Sequence, residues 1–138
     1  MHACLSPDEC QSCEGDITLN ELSAVLKNMA HNKSPGPDDL SVDFFSPFWS
    51  LLGPILVCVY NTCFRNCELP ESMKESVTQL IFKKGDHKNL KNWHPISLSN
   101  IDYKICFKAL SSHLSKVLGS ITSTDQTCSV PGRSIVSN

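Results

Sequence analysis

The residues best suited to chemistry are Lys83 and Lys84, which open the stretch Lys83-Lys84-Gly85-Asp86-His87-Lys88-Asn89-Leu90-Lys91-Asn92-Trp93-His94-Pro95. Ammonium groups on a polar connection with a Gly turn suit phosphate oxygens, although a solvated loop is the commoner meaning of such a charge run. The one Asp-Asp pair, Asp38-Asp39, has the composition that holds Mg²⁺ beside substrate phosphates. It follows Pro35-Gly36-Pro37 in a loop, away from any strand, and is therefore read as non-catalytic. Cysteine offers a third chemistry. Cys10-x2-Cys13 has zinc-knuckle spacing, and Cys63 with Cys67 would supply a second pair for a zinc-stabilised interaction module. Cys63 falls on an apolar helix face, so buried thiols acting as small hydrophobes are the plainer reading. No P-loop, dinucleotide fingerprint or nucleophilic triad is recognisable.

These residues sit on a chain of 138 residues, 41% hydrophobic and 19% charged, enough for one core and not for two. The net charge of −2 hides an asymmetry: residues 1–46 carry −6, residues 47–73 carry −1, residues 74–116 carry +5, and residues 117–138 balance. A basic second half implies a surface that meets polyanions. No run of about 18 apolar residues exists, which argues against a membrane span. The N-terminus lacks the basic and apolar regions of a secretory signal, so the expected setting is intracellular, cytoplasmic or nuclear, with the eight cysteines as thiols.

Residues 1–16 read as an irregular lead-in. Thr18-Leu19-Asn20-Glu21 has the form of a capping box, with Ile17 and Leu22 spaced as a staple, and predicts a helix over 18–31. Two prolines and a glycine make 32–39 a rigid loop. Helical spacing then runs from Phe44 to about residue 66, with a kink expected at Pro54, and Pro70 begins a short helix ending near Lys74. Val77 to Phe82 and Ile96-Ser97-Leu98 read as a β-hairpin around the basic loop. Ser99 is the expected cap of a long helix whose face holds Tyr103, Cys106, Phe107, Leu110, Leu114, Val117 and Leu118, and which Gly119 stops.

Four stretches resemble one family in its order and approximate spacing. They are Lys33-Ser34-Pro35-Gly36-Pro37-Asp38, then Leu80 to Asp86, then Asn92-Trp93-His94-Pro95-Ile96-Ser97-Leu98 with Asp102-Tyr103-Lys104, and last Asp125-Gln126 with Pro131-Gly132-Arg133-Ser134-Ile135. Colinear over residues 17–138, they are similar to the reverse transcriptases of LINE-type (non-LTR) retrotransposons. The resemblance implies an α/β class: a helix-rich fingers fragment of a right-hand polymerase with one β-hairpin, covering the fingers and the start of the palm. The family's palm motifs, with the aspartates that hold two Mg²⁺ ions, lie beyond Asn138. The chain is therefore expected to hold no catalytic residue, metal or cofactor of its own and to turn over no small-molecule substrate.

By the same resemblance Lys83, Lys84 and His94 fall at nucleotide- and phosphate-binding positions, and Ser34, Pro35, Gly36, Asp38 and Arg133 at template or primer contacts. The expected partner is RNA or another single-stranded nucleic acid, bound through Lys83, Lys84, Lys88, Lys91 and Arg133 with Trp93 as a stacking residue. His94 stands where the family usually has arginine, and losing that charged fork costs roughly 1–3 kcal/mol of phosphate affinity, which counts against dNTP binding. Asp39 occupies a place commonly held by glycine, so a positive φ there would be strained. A further alternative is a decayed element copy with no selected role.

Overall fold

The computed structural model describes residues 6–122, a mixed helix-and-sheet arrangement. Its elements are α1 (Pro7–Cys13), α2 (Leu19–Lys27), α3 (Val42–Phe45), α4 (Trp49–Asn66), α5 (Glu71–Lys74), β1 (Ser76–Phe82), β2 (Trp93–Ser99) and α6 (Ile101–Ile121). The last of the four family-like stretches, Asp125-Gln126 and Pro131 to Ile135 with Arg133, lies outside the described residues, as do Cys4 and Cys128.

The capping box forms as its residues require. The Thr18 hydroxyl accepts from the Glu21 N–H at 3.3 Å, and the Thr18 N–H donates to Glu21 Oε2 at 2.9 Å. Ile17 and Leu22, the staple pair, are both buried. A second device fixes the entry to α2 against α4. The Ile17 N–H donates to Asn61 Oδ1 at 2.8 Å, and Asn61 Nδ2 donates back to the Ile17 carbonyl at 3.0 Å. Both groups are buried, so this side-chain amide replaces the water that the backbone would otherwise need.

The core gathers Leu22, Leu26 and Met29 from α2 and its end, Val42 and Phe45 from α3, Tyr60 from α4, Met73 from α5, and Ile101, Ile105, Cys106 and Ala109 from α6. Tyr60 is its largest fully buried side chain. Its hydroxyl donates to the Asp102 carbonyl at 2.7 Å, and burial pushes its ionisation far above the ordinary range. Burial, with Cys63 and Asp102 nearby, likewise pushes the Cys106 thiol up to about 11, so it acts as a small hydrophobe.

Several elements depart from the sequence reading. The lead-in contains α1, with Pro7 at its first position, and the Cys13 thiol reaches the His113 carbonyl on α6. Helix α2 ends at Lys27 rather than near 31. The apolar run from Phe44 breaks at residues 46–48, not at Pro54, which lies inside an unbroken α4. Asn100, not Ser99, occupies the N-cap of α6, and that helix continues through Gly119 to Ile121. Its buried ridge is Ile101, Ile105 and Ala109 at four-residue spacing, with Val117 two turns on, while Phe107 and Leu114 are exposed. No helix among the described residues is long and apolar enough to cross a membrane.

His113 extends the α6 ridge toward α2, where its Nε2 lies 2.7 Å from Glu21 Oε1. Burial raises the Glu21 carboxyl, but hydrogen bonds from Thr18 and His113 outweigh it and hold the group below its ordinary 4.5. A depressed carboxyl contributes stability above its unfolded value and loses it as pH falls through the folded one. Urea midpoints should therefore fall on acidification below about pH 4.5, and Glu21→Gln should flatten that fall. Asn61→Leu, which strands the buried Ile17 N–H and carbonyl, should cost about 2–4 kcal/mol in urea unfolding with an unchanged slope.

Candidate nucleic-acid interface

Strands β1 and β2 pair antiparallel from Ser76 opposite Ser99 to Phe82 opposite Trp93. Alternation then sorts the hairpin into two faces. One carries Val77, Gln79 and Ile81 with their partners Leu98, Ile96 and His94. The other carries Thr78, Leu80 and Phe82 with Ser97, Pro95 and Trp93. Neither face is sealed: Val77 is 49% exposed, Leu80 53%, Ile81 46% and Ile96 43%. The hairpin therefore projects from the helical body as a thin, amphiphilic arm.

Its basic connection is tightly folded. The Lys83 N–H donates to the Asn92 carbonyl at 2.9 Å, extending the ladder by one step. Gly85 has φ +98°, and a Cβ there would lie 2.6 Å from Asn92 Nδ2. Asp86 Oδ1 accepts from the Lys88 N–H, Asn89 Oδ1 accepts from the Lys91 N–H, and Asn92 Nδ2 donates to the Asp86 carbonyl. His87 stacks on Phe82 with ring centroids 3.6 Å apart, and Trp93 Nε1 donates to the His87 carbonyl at 2.9 Å. Trp93 thus clasps the loop through its indole N–H. Lys83, Lys84, Lys88 and Lys91 are exposed, and among the described residues no ion pair neutralises them.

At the base of the same hairpin lies the Pro-Gly-Pro loop. The Asp39 N–H donates to the Gly36 carbonyl at 3.2 Å, closing a β-turn with Pro37 and Asp38 at its centre. Asp39 has φ +57°, the left-handed conformation expected of a glycine-like position. Asp38 Oδ1 accepts from the Leu40 N–H at 3.0 Å, so part of that carboxylate is spent on its own loop. Asn100, buried where β2 meets α6, accepts from the Asp38 N–H at 3.3 Å and donates to the Ser72 carbonyl at 3.0 Å. Gly36 is pressed against this residue: a Cβ would collide with Asn100 Oδ1 and N and lie 2.5 Å from the Ser99 carbonyl carbon.

The consequence is a groove of about 340 Å³ between Ser34, Pro35, Gly36, Pro37 and Asp39 on one wall and Val77, Gln79 and Leu98 on the other. Those hairpin residues belong to the face that carries His94, and Lys83 follows Ile81 at the next same-face position. Two stretches almost 40 residues apart in sequence are thereby placed on one surface. Lys84 sits in the turn beyond, and Arg133 is outside the described residues. Burial first, and then the charge of Asp38, push the nearby Asp102 carboxyl up, against the Tyr103 N–H that it accepts from. The sequence reading missed Asn100, which joins the loop to the hairpin. Its signal was an asparagine set between a strand and a helix start.

Among the described residues the cysteines do not assemble into a metal site. Cys63 is buried in α4, Cys67 caps that helix at φ +54°, and among the described residues no three His, Cys, Asp or Glu side chains form a group able to hold a metal ion.

The chain is 43% identical, over 149 aligned residues, to the transposon TX1 uncharacterized 149 kDa protein of Xenopus laevis. The alignment covers 97% of this chain and 11% of that protein, so the chain spans about a ninth of the length of the relative it matches. No protein-family model matches the chain.

The loop geometry makes opposite demands on neighbouring residues. Gly36→Ala, which meets backbone, should cost about 2–3 kcal/mol. Asp39→Gly, which relieves a positive φ, should be neutral or stabilise by up to about 1 kcal/mol. Thermal melts of the two variants beside the unsubstituted chain check both signs.

Proposed function

We propose that this chain derives from a LINE-type retrotransposon and corresponds to the fingers portion of its reverse transcriptase, where it binds RNA or single-stranded nucleic acid without catalysing polymerisation itself. The similarity to a transposon protein supports the retrotransposon origin. The observation that carries the fingers reading is the seating of the Ser34 to Asp39 loop on the hairpin face of His94, with Lys83 next along it.

In this reading the hairpin acts through charge and rigidity. Nucleotidyl transfer needs phosphates held in line while negative charge accumulates on them, and lysines fixed on a folded loop answer that charge without reorganising. Lys83 and Lys84 supply ammonium groups at the hairpin tip. His94, lacking the bidentate fork of arginine, supplies one donor at most toward a given phosphate, so dNTP is held weakly if at all. Ser34, Pro35, Gly36 and Asp38 form a wall whose backbone is stiffened by two prolines and by Asn100, suited to guiding a template or primer strand.

Magnesium in the complete family enzyme requires paired carboxylates beside a strand end. Asp38 and Asp39 do not fit it: Asp38 is engaged by Leu40, and the pair sits in a β-turn. No catalytic step is assigned to them.

A second reading, an element remnant without a selected role, draws on the exposed apolar residues of both hairpin faces. A circular-dichroism melt separates the two. A cooperative transition supports a self-sufficient binding unit, and a featureless one supports the remnant.

Filter binding of labelled RNA at low salt tests the binding claim. Weak affinity that falls as salt rises is expected, with a logarithmic slope of about 0.7 per phosphate contacted. Lys83→Ala with Lys84→Ala should lower both the affinity and that slope. Affinity indifferent to the double substitution would remove the hairpin from the interface.

A further inference from the structure

A second groove, of about 450 Å³, runs between the stretch that follows α2 and the first turns of α6. Met29 contributes to its apolar floor, Lys33, Lys104 and Lys108 border it, and no carboxylate lines it. Lys104 and Lys108 are one helical turn apart, about 6 Å along the axis. Tyr103 and Phe107, also one turn apart, stack with ring centroids 4.3 Å apart and planes 27° from parallel. Phe107 remains 40% exposed. Among the described residues none of the three lysines is in an ion pair. The acids nearest in sequence are Asp102, between Ile101 and Tyr103, and Asp43, beside Val42: Asp102 Oδ1 accepts from the Tyr103 N–H, and Asp43 is engaged by His31 and the Asn32 N–H.

This combination has a specific chemical meaning. Lysines without ion pairs along a groove that no carboxylate lines attract a polyanion, and the exposed Phe107 ring, backed by the half-buried Tyr103, offers a flat surface that only part of that class can use. A base has a π-face to stack on it and phosphates on either side to meet the lysines, which is how single-stranded nucleic acid is held without sequence preference. An acidic peptide would satisfy the lysines and leave the rings without a matching plane.

We propose that this groove is a binding surface for single-stranded RNA, in which a base stacks on the Tyr103–Phe107 pair and flanking phosphates lie on Lys33, Lys104 and Lys108. The proposal rests on the nucleic-acid reading above but uses residues separate from Lys83 and Lys84. It makes the arm and the body of the molecule two contact points for one strand.

Fluorescence anisotropy of a labelled oligouridylate of about twelve nucleotides, within the usual site size, tests it on the full chain at low salt. Phe107→Leu keeps the apolar packing and removes the ring; it should weaken binding by about fivefold or more. Lys104→Gln with Lys108→Gln should lower the salt slope by about 1.4, two phosphates' worth. An abasic oligonucleotide of the same length should bind more weakly and be indifferent to Phe107→Leu. Circular dichroism of each variant checks that the fold is retained. If both groove variants bind like the unsubstituted chain while the Lys83 and Lys84 double variant loses affinity, the groove is overturned and the hairpin reading stands. If the unsubstituted chain binds no RNA, both fall. If polyglutamate displaces the RNA as well as unlabelled RNA does, the groove is an acidic-protein site and the proposal is overturned.

Discussion

One side-chain amide holds the working parts of this molecule in register. Asn100 is buried at the point where the second strand ends and the long helix begins, and its two ends bind different neighbours: Oδ1 takes the Asp38 N–H and Nδ2 gives to the Ser72 carbonyl. The Pro-Gly-Pro loop, the short α5 before the hairpin and the start of α6 are therefore tied to a single residue. Inside the protein such bonds face little competition from water, and a partner removed leaves a desolvated group behind. The missing Cβ of Gly36 is the complement of this arrangement, because only a residue without a side chain lets the loop approach the amide so closely.

What the sequence disclosed follows from how local each signal is. The capping box and staple around Thr18 and Leu22 depend on residues within one turn of each other, and they form as read. The hairpin was legible for the same reason: β-branched runs flank a Gly-containing polar turn, and the register follows once the turn is made. The left-handed backbone at Asp39 was foreseeable only through the family resemblance, which puts a commonly glycine place there. Long-range choices were not legible. One helix was expected from Phe44 to about residue 66, kinked at Pro54, yet the apolar run is interrupted at residues 46–48, where the chain turns between α3 and α4. On α6, Phe107 and Leu114 look as apolar as Ile105, and only the placement of α2 against the Ile105, Ala109 and His113 ridge decides which are covered.

The candidate site shows the same division. Lys83, Lys84 and His94 were individually visible as cationic or imidazole groups on a basic stretch, but their relation to the Ser34 to Asp39 loop was not, because it runs through Asn100 and the pleat of β1. The charge asymmetry of the chain acquires a geometry as well. Six of the eight lysines of residues 74–116 divide between the hairpin tip and the α6 groove, and three acids of the first segment, Glu21, Asp43 and Asp16, are drawn into helix capping and ion pairs. Positive charge is thereby left outward-facing on a chain whose net charge is −2.

The hairpin, finally, has the mechanics of a lever. Seven-residue strands are roughly 23 Å long. Its fixed end is the junction around Asn100, while the turn with Lys83 and Lys84 is stiffened only by its own hydrogen bonds and the Phe82, His87 and Trp93 cluster. Rotation of about 10° at that base would carry the basic tip about 4 Å, more than the length of a hydrogen bond, without breaking any rung of the ladder. Position and charge are thus set in different places, position at a buried asparagine and charge at exposed lysines.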